Sequence, residues 1–193
     1  MAIRKIAQMG EPVLRRVARE LSREELASSE IQTLIDDMIQ TMHDADGAGI
    51  AAPQVYESVQ VCVMELSGNP RYPSLPALPL TVLVNPVVTP LVENPASPAD
   101  ADSVTMFEGC LSVNGVRGRV RRPRRVRVTG WDRAGAPVDF VLEGPLASVV
   151  QHETDHLHGV LFVDRADPRS LTFLREYDRY VPLADRIVDG GAT

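Results

Sequence analysis

His152-Glu153-Thr154-Asp155-His156 is the stretch that most constrains this chain. On a helix, residues four apart stand one turn apart on the same face. Two imidazoles so placed can grip one metal ion. Glu153 lies next to His152 in sequence and can swing toward a water on that metal. A solvated polar helix face would carry the same letters, so the rest of the chain has to supply the missing ligand.

A catalytic metal site takes three protein ligands and keeps one position open. One large class of zinc peptidases reads HExxHxxGxxH. Here Gly159 matches, but Phe162 stands where the last His would be, and no His lies beyond it. Downstream, Glu176 is the one Glu, with Asp164, Asp167 and Asp178 as weaker candidates. Cys110 is a better candidate. It sits upstream in Glu108-Gly109-Cys110-Leu111-Ser112, where Gly beside the thiol lets the backbone come close. A thiolate is a strong ligand for soft or borderline metals.

A third segment is Gly47-Ala48-Gly49-Ile50-Ala51-Ala52-Pro53-Gln54. Two glycines suit a backbone that approaches a ligand closely. The Gln54 amide could polarise a carbonyl or hold an oxyanion. Taken alone, the segment fits a plain tight turn before a strand just as well.

Together the three segments resemble the peptide deformylase family, whose pattern is GxGφAAxQ (φ apolar), then EGCφS, then QHExDHφxG. Residues 47–54, 108–112 and 151–159 match every fixed position in that order. The resemblance implies that Cys110, His152 and His156 hold one divalent metal, with Glu153 moving the proton of a water in the fourth position. It implies ferrous iron in the cell; sulfur ligation alone suits zinc, nickel or cobalt equally. Gln54 and the Leu111 backbone N–H are implied as oxyanion donors. The implied reaction removes the formyl group from nascent N-formylmethionyl peptides. In the family an Arg falls where Arg122 stands, so a Glu108–Arg122 pair is expected behind the Cys110 loop. Ser148 and Val149 lie one turn before His152 on its face. With Gly47, Gly49, Ile50 and Arg117 they are expected to line the substrate site.

The net charge of −6 argues against specific nucleic-acid binding. Arg117, Arg119, Arg121, Arg122, Arg124, Arg125 and Arg127 depart from that balance. They read as exposed positions on one or two strands, or as partners for a peptide carboxylate, ribosomal RNA or Glu108. A transient ribosome contact belongs to the second option. No apolar run approaches the ~20 residues that span a bilayer. The N-terminus lacks the apolar region of a secretory leader. We therefore expect a cytoplasmic protein with no membrane partner, Cys62 and Cys110 reduced. Monomer and dimer are both open.

Residues 11–19 read as a short helix. Ser22 and Glu25 form a capping-box pattern, and Leu26, Ile31, Leu34, Ile35, Met38, Ile39 and Met42 recur at helical spacing to Asp44. Strands are expected at 59–66, 81–88, 126–131 and 138–142. Pro145 opens the metal helix, Gly159 caps it, and a last helix starts at Asp167-Pro168. The expected fold is α+β: one domain over 1–193, antiparallel strands around a central helix carrying the pentad. Pro70, Pro73, Pro76 and Pro79 mark a stiff proline-rich insertion over 67–80. Residues 93–103 read as an acidic loop, and 185–193 as a flexible tail.

Two other functions carry the same letters. A zinc peptidase would take its third ligand downstream and ignore Cys110. A metal-stapled binding module would close the metal with four protein ligands.

Overall fold

The computed structural model describes residues 2–66, 77–91, 102–182 and 185–189. Pro70, Pro73 and Pro76, nearly all of the loop at 93–103 and the last four residues fall outside the described residues.

The Ser22 capping box forms as expected. Ser22 Oγ accepts from the Glu25 backbone N–H at 3.2 Å, and Glu25 Oε2 accepts from the Ser22 N–H at 2.8 Å. It does not start one long helix, however. α1 spans only Arg23–Leu26, and α2 runs Ser29–Asp44. The break lies at Ser28, whose Oγ donates to Glu25 O at 2.6 Å and accepts from Ile31 N–H at 3.3 Å. A serine that serves both turns in this way caps a new helix. The helix expected at 11–19 is also shorter, a single 3₁₀ turn over Pro12–Arg15. Ala18 N–H instead donates to Leu157 O at 2.8 Å, tying this segment to the far end of the pentad helix.

Among the described residues nine strands form two sheets, and every strand pairing described is antiparallel. The first sheet has the order β1-β2-β3-β6-β7. These are Gly49–Ala51, Val61–Met64, Thr81–Pro90, Arg125–Trp131 and Pro137–Glu143. The second has the order β8-β5-β4-β9. It comprises Thr172–Phe173, Val113–Pro123, Ser103–Cys110 and Ile187–Asp189.

Side chains alternate across a strand, and both faces of the first sheet are used. Val61, Val63 and Val84 join Leu34, Ile35, Met38 and Met42 of α2 in one core. Cys62, Met64, Leu83, Val126 and Val128 face Ala147, Val150 and Leu157 of α3, which spans Gly144–Leu157 and carries the pentad. α3 also touches β4 and β5 of the second sheet. Gly159 ends this region with φ +73°, and a Cβ there would lie 2.8 Å from the Arg15 backbone. Only glycine meets both conditions without strain.

The last helix is interrupted. Pro168–Ser170 make one 3₁₀ turn, and β8 then pairs with β5, so α5 is only Leu174–Tyr180. A short helix, α4, covers Phe162–Arg165. Ile187–Asp189 were expected in a flexible tail. They pair with Val104–Met106 instead and close the edge that β4 would otherwise leave unpaired.

Candidate active site

The β4–β5 ladder carries the thiol to the helix. Glu108 pairs with Gly118, and the register then shifts before Cys110 pairs with Val113. The irregularity falls on Gly109, as bulges near sites often do. Glu108 reaches His152 and Cys110 reaches His156, so both side chains face α3. Cys110 Sγ lies 3.2 Å from His156 Nε2, and the ligand atoms of Cys110, His152 and His156 all lie within 4.8 Å of one another.

This donor set fits a divalent ion. Burial alone would raise the Cys110 thiol, but the His156 and His152 imidazoles outweigh it and hold the thiol well below its ordinary value. His152 Nδ1 is engaged by Glu108 Oε2 at 2.8 Å, which turns Nε2 toward the thiolate. Glu153 Oε2 is buried beside the trio with no hydrogen-bond partner in the structure. Burial pushes its carboxyl up to about 7, against the pull of the two imidazoles. A thiolate, two imidazoles and an uncommitted carboxylate are the parts of an open, catalytic site.

Behind the trio runs a buried charge chain. Arg122 Nε and Nη2 donate to Glu108 Oε1 and Oε2 at 2.6 and 2.9 Å, and Nη1 donates to Asp155 Oδ2 at 2.8 Å. Asp155 is gripped from outside by Arg165, with two bonds of 2.7 Å. Burial would raise the Glu108 carboxyl, but Arg122 and then His152 hold it at about 2. Glu108 is thus a fixed acceptor that sets the His152 ring. The Glu108–Arg122 pair was expected. The part played by Asp155 was not, although it sits inside the pentad.

Gln54 sits in the 3₁₀ turn Ala52–Val55, directly after β1. Its Oε1 accepts from Ala51 N–H at 2.8 Å. Its Nε2 donates to Ser112 Oγ at 3.1 Å and faces Cys110 Sγ at 3.4 Å. Ser112, the last residue of the Glu108–Ser112 motif, is fully buried and also points its backbone N–H at Sγ, at 3.4 Å. Its place in the motif was the only signal for that role.

One cavity brings the expected residues together. Gly47, Gly49, Gln54, Glu108, Cys110, Leu111, Arg117, Ser148, Val149, His152 and Glu153 all line it, with Met106 and Phe107 added from β4. Ile50 does not. Its side chain is wholly buried in the α2 core, because alternation along β1 turns Gly49 and Ala51 toward α3 and Ile50 away from it. Arg117 lies over Gly109, where a Cβ would be 1.8 Å from Nη1.

The downstream ligand candidates are elsewhere. Asp164 binds Arg15, Glu176 pairs with Arg175, and Asp178 faces Arg186. Among the described residues Cys110, His152 and His156 form the one cluster able to hold a metal. Of the other arginines, Arg125 pairs with Glu143, Arg127 with Asp139, and Arg119 lies over the Phe107 ring.

A mixed α and antiparallel-β domain with a Cys-His-His trio and a free carboxylate defines a metal-dependent hydrolase. Comparison with known proteins narrows the class. Residues 3–171 match the family described as polypeptide deformylase. A peptide deformylase of Leptospira biflexa is 40% identical over 190 residues, 98% of this chain and 100% of that protein. Peptide deformylase 2 of Ralstonia nicotianae is 47% identical over 160 residues, 83% of this chain and 85% of its own. Among solved structures, the class I type b peptide deformylase of Acinetobacter baumannii bound to Met-Ala-Ser superposes with a TM-score of 0.77 at 39% identity, covering 85% of this chain and 98% of that one. The chain belongs to the peptide deformylase family.

Proposed function

We propose that this chain hydrolyses the formyl group from nascent N-formylmethionyl peptides and releases formate. The observation that carries this reading is the Cys110–His152–His156 trio with Glu153 Oε2 unpartnered beside it, Cys110, His152 and Glu153 lining one cavity. Family membership supports it, as does the Met-Ala-Ser seated on the Acinetobacter relative.

Cys110 Sγ and the Nε2 atoms of His152 and His156 would hold one divalent metal, ferrous iron in the cell, with zinc, nickel or cobalt as substitutes. When bound, the metal acidifies a water and polarises the formyl carbonyl. Glu153 takes the proton of the attacking water and returns it to the leaving amine. Gln54 lends the N–H that faces Sγ to the oxyanion, together with the Leu111 backbone N–H. Gly47, Gly49, Ser148 and Val149 hold the methionine side chain, and Arg117 covers the cavity edge. α3 is the central helix of the fold: one face packs on the first sheet and the other presents the ligands.

No helix among the described residues is long and apolar enough to cross a membrane. Nascent peptides are made in the cytoplasm, and we place the protein there, with brief contact at the ribosome. The test is formate release from formyl-Met-Ala-Ser, set against cleavage of the same peptide without its formyl group. Formate from the first and no cleavage of the second supports the reading. The reverse result would point to a peptidase.

A further inference from the structure

Ser148 Oγ is a polar atom of the cavity wall that the proposed chemistry does not use. Ser148 is 1% exposed, and its Oγ has no hydrogen-bond partner in the structure. A helical serine commonly donates to the carbonyl one turn back; this one does not. Thr154, six residues further on in the same helix, does so, to Val150 O at 2.9 Å. Val149 from the same helix and Met106 from β4 line the same cavity. A buried hydroxyl left unpaired in such surroundings is destabilising unless a ligand meets it.

Its position says which part of a ligand that would be. The scissile carbonyl must lie beside His152. Ser148 stands four residues earlier, one turn or about 5.4 Å along the helix axis. An unbranched side chain that ran along α3 from His152 toward Ser148 would bring its far half, not the reacting carbon, level with that hydroxyl. A hydroxyl there can donate to an acceptor near the end of that side chain. Thioether sulfur is a weak acceptor, and a sulfoxide oxygen is a strong one. An all-apolar pocket would have to strip water from a sulfoxide without replacing its hydrogen bond.

We infer that Ser148 Oγ is a specificity determinant that donates a hydrogen bond to the first side chain of the substrate, so that this enzyme processes N-formyl peptides beginning with methionine sulfoxide as well as methionine. The inference rests on the deformylase reading and names a further substrate for the same cavity. Peptides oxidised before processing keep their formyl group unless an enzyme accepts them, and this pocket has the donor they need.

The test compares formate release from three peptides: formyl-Met-Ala-Ser, its norleucine analogue, and its methionine sulfoxide analogue. Within each enzyme, the kcat/KM for sulfoxide is divided by that for norleucine, which has the same length and no acceptor. In Ser148→Ala this ratio should fall roughly tenfold, the scale of one buried hydrogen bond. Ser148→Thr keeps a hydroxyl and should restore most of it. A residue that only packs the helix would change all three peptides together and leave the ratio unmoved; that result overturns the inference while the deformylase reading stands. No formate from any of the three by the wild-type protein would overturn both.

Discussion

The Glu153 carboxylate is packed against the backbone of Gly49: a Cβ added to Gly49 would lie 2.5 Å from Glu153 Oε1 and 2.6 Å from Cδ. The first glycine-rich segment therefore fits a catalytic side chain as closely as it would fit a substrate. β1 places Gly49 on the α3 side, and α3 brings Glu153 down onto it.

Gly49→Ala should displace the carboxylate without touching a metal ligand. Misplacing a catalytic group by about 1 Å can cost on the order of 10²-fold. We expect kcat to fall by about that factor, while metal content, measured by elemental analysis, stays at one equivalent of the wild-type value. Wild-type kcat in Gly49→Ala would show that Glu153 has room the structure does not give it.

Glu153→Gln tests the proton-transfer role directly. The amide nearly matches the carboxylate in shape but cannot accept the proton. Loss of general-base action costs ~10²–10⁴-fold, and the purified variant should still carry its metal. Loss of the metal along with the activity would make Glu153 a ligand.

The chemistry of this site was legible in the sequence because each part is local: the pentad, the thiol beside Gly109, and the amide after two glycines. What was not legible depends on pairings between distant segments. The arginines at 117–127 were read on one or two strands and fall on β5 and β6, but β4 was hidden, because its residues were divided between the acidic loop and the Glu108–Ser112 motif. The contact of Arg122 with Asp155 joins residues 33 apart. Ile50 was misplaced because a three-residue strand gives too short a pattern to fix which face is which. The helix break at Ser28 was legible in principle and missed: Leu26 and Ile31 are five apart, a step outside the three-or-four spacing of one helix face.

Arg122→Met should be among the most damaging single changes outside the metal ligands. Arg122 is 3% exposed and bridges two carboxylates, Glu108 and Asp155. Removing it takes the buried cation from Glu108 and leaves Asp155 with Arg165 alone, a loss of about 3–5 kcal/mol. It also frees Glu108 from the geometry that orients His152, which should weaken metal binding about 10–100-fold. Denaturant melts and chelator competition measure the two effects separately. Arg122→Lys should be intermediate, since an ammonium lacks the fork that holds both oxygens of Glu108. Unaltered metal affinity in the Met variant would mean that His152 is held by its ring packing alone.

The anchor of the N-terminal segment predicts a pH dependence. Asp37, on α2, is 5% exposed. Its Oδ1 accepts from the Ala2 backbone N–H at 2.6 Å and its Oδ2 from Arg4 Nε at 3.1 Å. The Ala2 bond, then Arg4, hold the carboxyl below its ordinary value despite burial. A carboxylate whose folded pKa is depressed adds stability that is fully present above the unfolded value, about 3.9, and fades as pH falls through the folded value. Asp37→Asn removes that contribution, with an expected loss of about 1–3 kcal/mol near neutral pH. The gap between wild type and variant should therefore be full near pH 6–7 and shrink below about pH 4. Paired denaturant melts across this range isolate the effect, because acid changes common to both proteins cancel in the difference. A gap that stays constant into acid would mean that the charge on Asp37 contributes nothing to holding the N-terminal segment on α2.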